Sequence, residues 1–95
     1  MKQSRRYRVA VLSVVKHDYV VRGLASHPRL DLVVVADDAQ IPNWAHERNQ
    51  LFADEMRIPY VLGVERALKE SNAEIAVVCS EAYRHCDLSM RAATL

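Results

Sequence analysis

Three short stretches of this sequence hold residues whose types and spacing suit nucleotide binding. Asp37 and Asp38 close the apolar run of residues 32–36. An acidic side chain ending a second strand, about 20 residues past a first strand-to-helix corner, can accept both hydroxyls of an adenosine ribose. The alternative for Asp37 is a turn residue that merely starts the next loop. The corner itself is Ser13-Val14-Val15-Lys16, after the apolar run of residues 9–12. A pyrophosphate would lie there. The third stretch, Ser80-Glu81-Ala82-Tyr83-Arg84-His85, follows another apolar run at 75–79 and would flank the same crevice. No arginine follows Asp37, so a 2′-phosphate would meet two carboxylates; NAD is expected rather than NADP.

The first corner departs from the usual phosphate cradle. A dinucleotide fingerprint puts glycines at positions that here fall on Ser13, Val15 and Asp18. The first glycine permits a tight turn, the second lets backbone approach the pyrophosphate, and the third lets helix and strand pack closely. Ser13 can make the turn only with strain, and Val15 fills the approach. Asp18 sets a negative charge at the helix end that attracts anions. Lys16 and His17 offer positive charge in compensation. The corner is either a cradle of unusual build or a solvated polar loop.

At the second corner, Ser80 either hydrogen-bonds a ribose or caps the last helix. His85 faces the crevice or solvent. Cys79 and Cys86 read as a buried small residue and a helix residue, with no base at a spacing that would activate either thiol. No residue is assigned a catalytic role, and no metal site is indicated.

Composition narrows the class. The chain has 95 residues, 51% hydrophobic and 26% charged, which suits one small folded domain. A net charge of +1 with both signs interspersed gives no footprint for nucleic acid. No run approaches the ~18 apolar residues of a membrane span, and the basic start lacks the apolar run of a signal peptide. Two cysteines without a C-x-x-C motif indicate neither a disulfide framework nor zinc, so a cytoplasmic protein is expected.

The elements that must position these residues follow from periodicity. Residues 1–7 form a polar lead-in. Strands are expected at 8–12, 30–36, 58–62 and 75–79, each largely apolar as a strand buried on both faces is. A first helix runs from Asp18, its N-cap, to a stop at His27-Pro28. A second spans 44–56, capped by Asn43, with Trp44, Ala45, the Arg48 stem, Leu51, Phe52 and Met56 on its docking face. A third covers 64–70, with Val64, Ala67 and Leu68 inward and Asn72 as its stop. The last starts near His85 and buries Leu88, Ala92 and Leu95. Short connections and right-handed crossovers then predict a three-layer α/β fold of Rossmann type over residues 8–95, with a parallel sheet in the order 3-2-1-4. The fourth strand is left with a bare apolar edge. The chain is expected to be the N-terminal portion of a larger doubly wound domain, or to pair that edge with a second copy.

Taken in order, RVAVL, LASHPRLDLVVVADD, FADEMRIPYV, ALKESNAEIAVVCS, SEAYRH and DLSMRAA resemble the N-terminal domain of the glucose–fructose oxidoreductase / inositol dehydrogenase / MocA (Gfo/Idh/MocA) family. The resemblance covers residues 8–95. It implies NAD(P)-dependent oxidation or reduction of sugars, cyclitols and similar polyols, with a second α/β domain that binds substrate and often forms oligomers. On that resemblance Asp37 matches the ribose-binding acid, Ser80 the threonine of a T-P-N motif and His85 that motif's histidine. Glu81 and Ala82 replace its proline and asparagine. The family's catalytic lysine, in an E-K-P motif, would lie beyond Leu95. The chain is therefore expected to bind cofactor without itself catalysing. The alternative is a divergent, non-catalytic Rossmann module that binds another ligand or a protein.

Overall fold

The structure, a computed structural model, describes residues 5–16, 18–81 and 84–94; His17, Ala82, Tyr83, Leu95 and the first four residues of the lead-in lie outside it. The elements alternate throughout: β1 (Tyr7–Leu12), α1 (Asp18–Ala25), β2 (Leu30–Asp37), α2 (Asn43–Met56), β3 (Tyr60–Leu62), α3 (Val64–Ser71), β4 (Ile75–Val78) and α4 (His85–Ala93). The four strands make one parallel sheet in the order β3-β2-β1-β4, as the alternation of elements predicts. The result is a Rossmann-like three-layer α/β fold.

Alternating side chains build two cores from one set of strands. Ala10, Leu12, Val34 and Ala36 point to one face, where they pack with Val64, Ala67 and Leu68 of α3 and Leu88 of α4. Val11 and Val35 point to the other and meet Val21 of α1 and Phe52 and Ala53 of α2. Strands sandwiched this way must be apolar on both sides, hence their unbroken runs. The β1–β2 register slips by one residue, from Val9↔Leu32 to Ala10↔Val34, leaving Val33 as an extra residue in β2. A one-residue bulge reverses the phase of everything after it. Val35 therefore faces α1 and α2, and Asp37, two residues on, shares that face.

Several local expectations need correction. β1 begins one residue early, and β3 is shorter than its apolar run, starting only after Pro59. Asn43 does not cap α2: the helix begins on Pro42 without a side-chain cap, and the Pro42 carbonyl accepts from the Ala45 and His46 N–H groups at 3.0 and 3.2 Å. The docking face of α2 is also rotated from the expected one. Trp44 and Leu51 are 45% and 63% exposed, while Asn49 is fully buried beside Ala45, Phe52 and Ala53. The third helix does stop at Asn72, which takes the left-handed conformation at φ 53°. Among the described residues, no helix is long and apolar enough to cross a membrane.

Candidate functional site

Three segments converge on Asp37 at the carboxyl end of the sheet. The first is the β1–α1 corner. Ser13 turns the chain in the left-handed region at φ 70°, the conformation for which a glycine would be the default. Its N–H donates to the Ala36 carbonyl at 2.8 Å, the Val14 N–H to Asn49 Oδ1 at 2.7 Å and the Lys16 N–H to the Cys79 carbonyl at 3.0 Å. Val14 and Val15 are buried, and Lys16 is exposed. A phosphate cradle needs corner N–H groups aimed outward. Here those of Ser13, Val14 and Lys16 are spent on the protein, and Val15 packs inward. The corner does not fit a pyrophosphate held by its backbone. The charge of Asp18 is met by Arg22 at 3.0 Å, whose guanidinium also pairs with Glu55. A groove of about 320 Å³ opens beside the corner, between α1 and α2, with Lys16 and Arg48 on its walls. The larger cavity of about 470 Å³ lies between α3, α4 and the start of β4, at the opposite end of the sheet from Asp37.

The second segment is α2, which contributes Asn49. Its Oδ1 holds the Val14 N–H, and its Nδ2 donates to Asp37 Oδ2 at 2.9 Å and to Tyr60 Oη at 3.1 Å. Every polar atom of this buried amide is thus used, and it ties the first corner to the end of β2. Tyr60 in turn meets His46 Nδ1 at 2.6 Å, and His46 Nε2 meets the Ala39 carbonyl at 3.0 Å. A carbonyl only accepts, so Nε2 carries a proton, and in the neutral ring Nδ1 accepts from the Tyr60 hydroxyl. Burial pushes the Tyr60 phenol up from its ordinary value; the Asn49 bond opposes this and the Asp37 charge adds to it.

The third segment leads into α4. Arg84, only 12% exposed, places Nη2 at 2.5 Å from Asp37 Oδ1, and the Asp38 N–H donates to the same oxygen at 2.8 Å. Asp37 is 0% exposed. Arg84 also lies 3.3 Å from Asp38 and 3.4 Å from Glu81. Burial alone would lower the Arg84 pKa, but the bond to Asp37 and the charges of Asp37, Glu81 and Asp38 outweigh it and raise it. Arg91, two turns into α4, bonds both Asp38 oxygens at 2.8 and 3.0 Å and both Glu65 oxygens. That guanidinium lowers the Asp38 pKa and, with a backbone N–H, brings Glu65 to about 2.

The fold therefore gathers Ser13, Val14, Asp37, Asp38, Glu81 and Arg84 at one end of the sheet. Ser80 is buried there, but its hydroxyl donates to the Glu81 carbonyl at 3.1 Å, and α4 has no side-chain cap. The capping role expected for Ser80 is not what it does. His85 turns back, its Nε2 donating to the Ser80 carbonyl at 2.6 Å. It braces the end of β4. Asn49, Tyr60, Arg84 and Arg91 were not evident as site residues from sequence. Arg84 and Arg91 reach the end of β2 from α4, 47 and 53 residues further along the chain, so no local pattern ties them to Asp37. For Asn49 a signal existed: it is four residues past Ala45 and three before Phe52, on their stripe.

The fold and this cluster define a Rossmann-like α/β module with an acidic residue at the carboxyl end of its second strand. Scanned against models of protein families and against curated proteins, the chain finds no match.

Proposed function

We propose that this chain is the NAD-binding portion of an oxidoreductase acting on a sugar, cyclitol or similar polyol, the polyol being held by a domain outside the sequence. One observation carries the reading: Asp37 ends β2 where Asn49 ties it to the first corner and Arg84 reaches it from the start of α4. In a parallel sheet of order 3-2-1-4 that is where an adenosine ribose is read. The pyrophosphate is then held by side chains such as Lys16 rather than by backbone. The chain itself contributes binding, and the hydride transfer belongs to the nicotinamide. The free thiols Cys79 and Cys86 suit a cytoplasmic setting, which forms part of the proposal.

The inward-facing N–H groups of the first corner favour a second reading, a non-catalytic Rossmann module for another ligand or a protein. Calorimetric titration of NAD and NADH separates the two. Saturable binding that Asp37→Asn weakens supports the oxidoreductase reading. No binding at millimolar cofactor rules it out.

A further inference from the structure

We propose that Arg84 is a latch on the ribose site: its guanidinium occupies the carboxylate of Asp37, and a nucleotide binds only when Arg84 withdraws. This rests on the nucleotide reading above and adds the regulation of that site.

The bonding around Asp37 carries the argument. A ribose diol needs a place on each carboxylate oxygen, and each oxygen has about two lone-pair sites. Asn49 takes one on Oδ2, leaving one without a partner among the described residues. On Oδ1 the Asp38 N–H takes one and Arg84 the other. Oδ1 is thus full, and it is Arg84 that fills it. Asp37 is wholly buried while Arg84 retains some exposure, so Arg84 is the partner of the pair that solvent reaches.

The same surroundings let the latch open. Asp38 Oδ2 at 3.3 Å and Glu81 Oε1 at 3.4 Å already lie beside the guanidinium, so a small swing exchanges one carboxylate for two others. The guanidinium keeps carboxylates beside it throughout, and Asp37 keeps the Asn49 and Asp38 N–H donors. α4 need not move with it, because Arg91 fastens the helix to Asp38 and Glu65 and Leu88 anchors it in the core. Arg84 sits at the N-terminal boundary of α4, where no side-chain cap has to break.

AMP and NAD titrated into the full chain, as wild type and as Arg84→Met, test this. The variant is expected to bind roughly 10- to 100-fold more tightly, the worth of one charge-assisted hydrogen bond. In wild type, saturating AMP is expected to shift the Arg84 guanidinium signal in carbon-detected NMR as it exchanges Asp37 for Asp38 and Glu81, the signal being identified by its loss in Arg84→Lys. Equal affinities, or a guanidinium signal unmoved by saturating AMP, overturn the latch and leave the nucleotide site standing. A wild-type preference for 2′-AMP over 5′-AMP that vanishes in Arg84→Met also overturns it, since Arg84 would then be a phosphate ligand. Absence of AMP and NAD binding in both proteins overturns the nucleotide reading and the latch with it. Should Arg84→Met not fold, the NMR signal of the wild type decides.

Discussion

Replacing Ser13 with glycine should make this protein more stable. Ser13 sits at φ 70°, and among the described residues its Oγ is the buried side-chain atom without a hydrogen-bond partner. A residue with a Cβ in the left-handed region costs about 1–2 kcal/mol. A buried hydroxyl with no partner costs about 1–3 kcal/mol. Glycine removes both penalties and adds back roughly 0.5–1 kcal/mol of chain entropy lost on folding. The backbone bond from the Ser13 N–H to Ala36 is unaffected. The net gain is about 2 kcal/mol, and for a chain of 95 residues each kcal/mol moves Tm by about 4–8 °C. Ser13→Ala separates the two contributions, since it removes the hydroxyl and keeps the Cβ. Urea and thermal unfolding should rank Gly above Ala above Ser. Alanine no more stable than serine would mean that the hydroxyl is satisfied. Glycine no more stable than alanine would mean that the turn carries no strain.

Three further outcomes follow from the same contacts. Asn49→Ala leaves the Val14 N–H unpaired and takes a donor from Asp37; at about 1–3 kcal/mol per orphaned buried group, the urea midpoint should fall by the equivalent of about 3 kcal/mol, and a wild-type midpoint would refute the bridging role. Arg91 lowers the pKa of Asp38 and holds Glu65 at about 2, against an ordinary 4.5. Groups depressed on folding stabilise above their unfolded pKa and lose that contribution as pH falls through the folded one. Arg91→Met should therefore be less stable than wild type at pH 7, with the gap closing between about pH 4.5 and 2 and narrowing in high salt; a gap independent of pH contradicts the pairing. Cys86 is exposed, whereas burial and then the Asp18 charge push the buried Cys79 thiol up. A thiol reagent should modify one cysteine in the native protein and both in urea, and rapid double labelling without denaturant would refute the burial.

Much of the architecture was legible because strands buried on two faces cannot hide their composition. The runs at 30–36 and 75–79 announce parallel strands, and the helical spacing of Val64, Ala67 and Leu68 announces the face of α3. The strained turn at Ser13 was legible too, from a serine where the corner calls for glycine. The face of α2 was not. Ranking by hydrophobicity selects Trp44 and Leu51, yet the helix turns Asn49 inward because the end of β2 and the first corner both need its amide.

By itself the sequence determined the layers, the strand order and an acid at the end of β2, since each depends on local pattern and the handedness of short crossovers. Tertiary structure alone decided what that acid meets. The extra residue at Val33 sets which face Asp37 joins, and the lead-in to α4 brings Arg84 onto it from 47 residues away. A carboxylate at a strand end reads alike in sequence whether it waits for a ribose or holds a guanidinium. Only the packing of distant segments around it distinguishes the two.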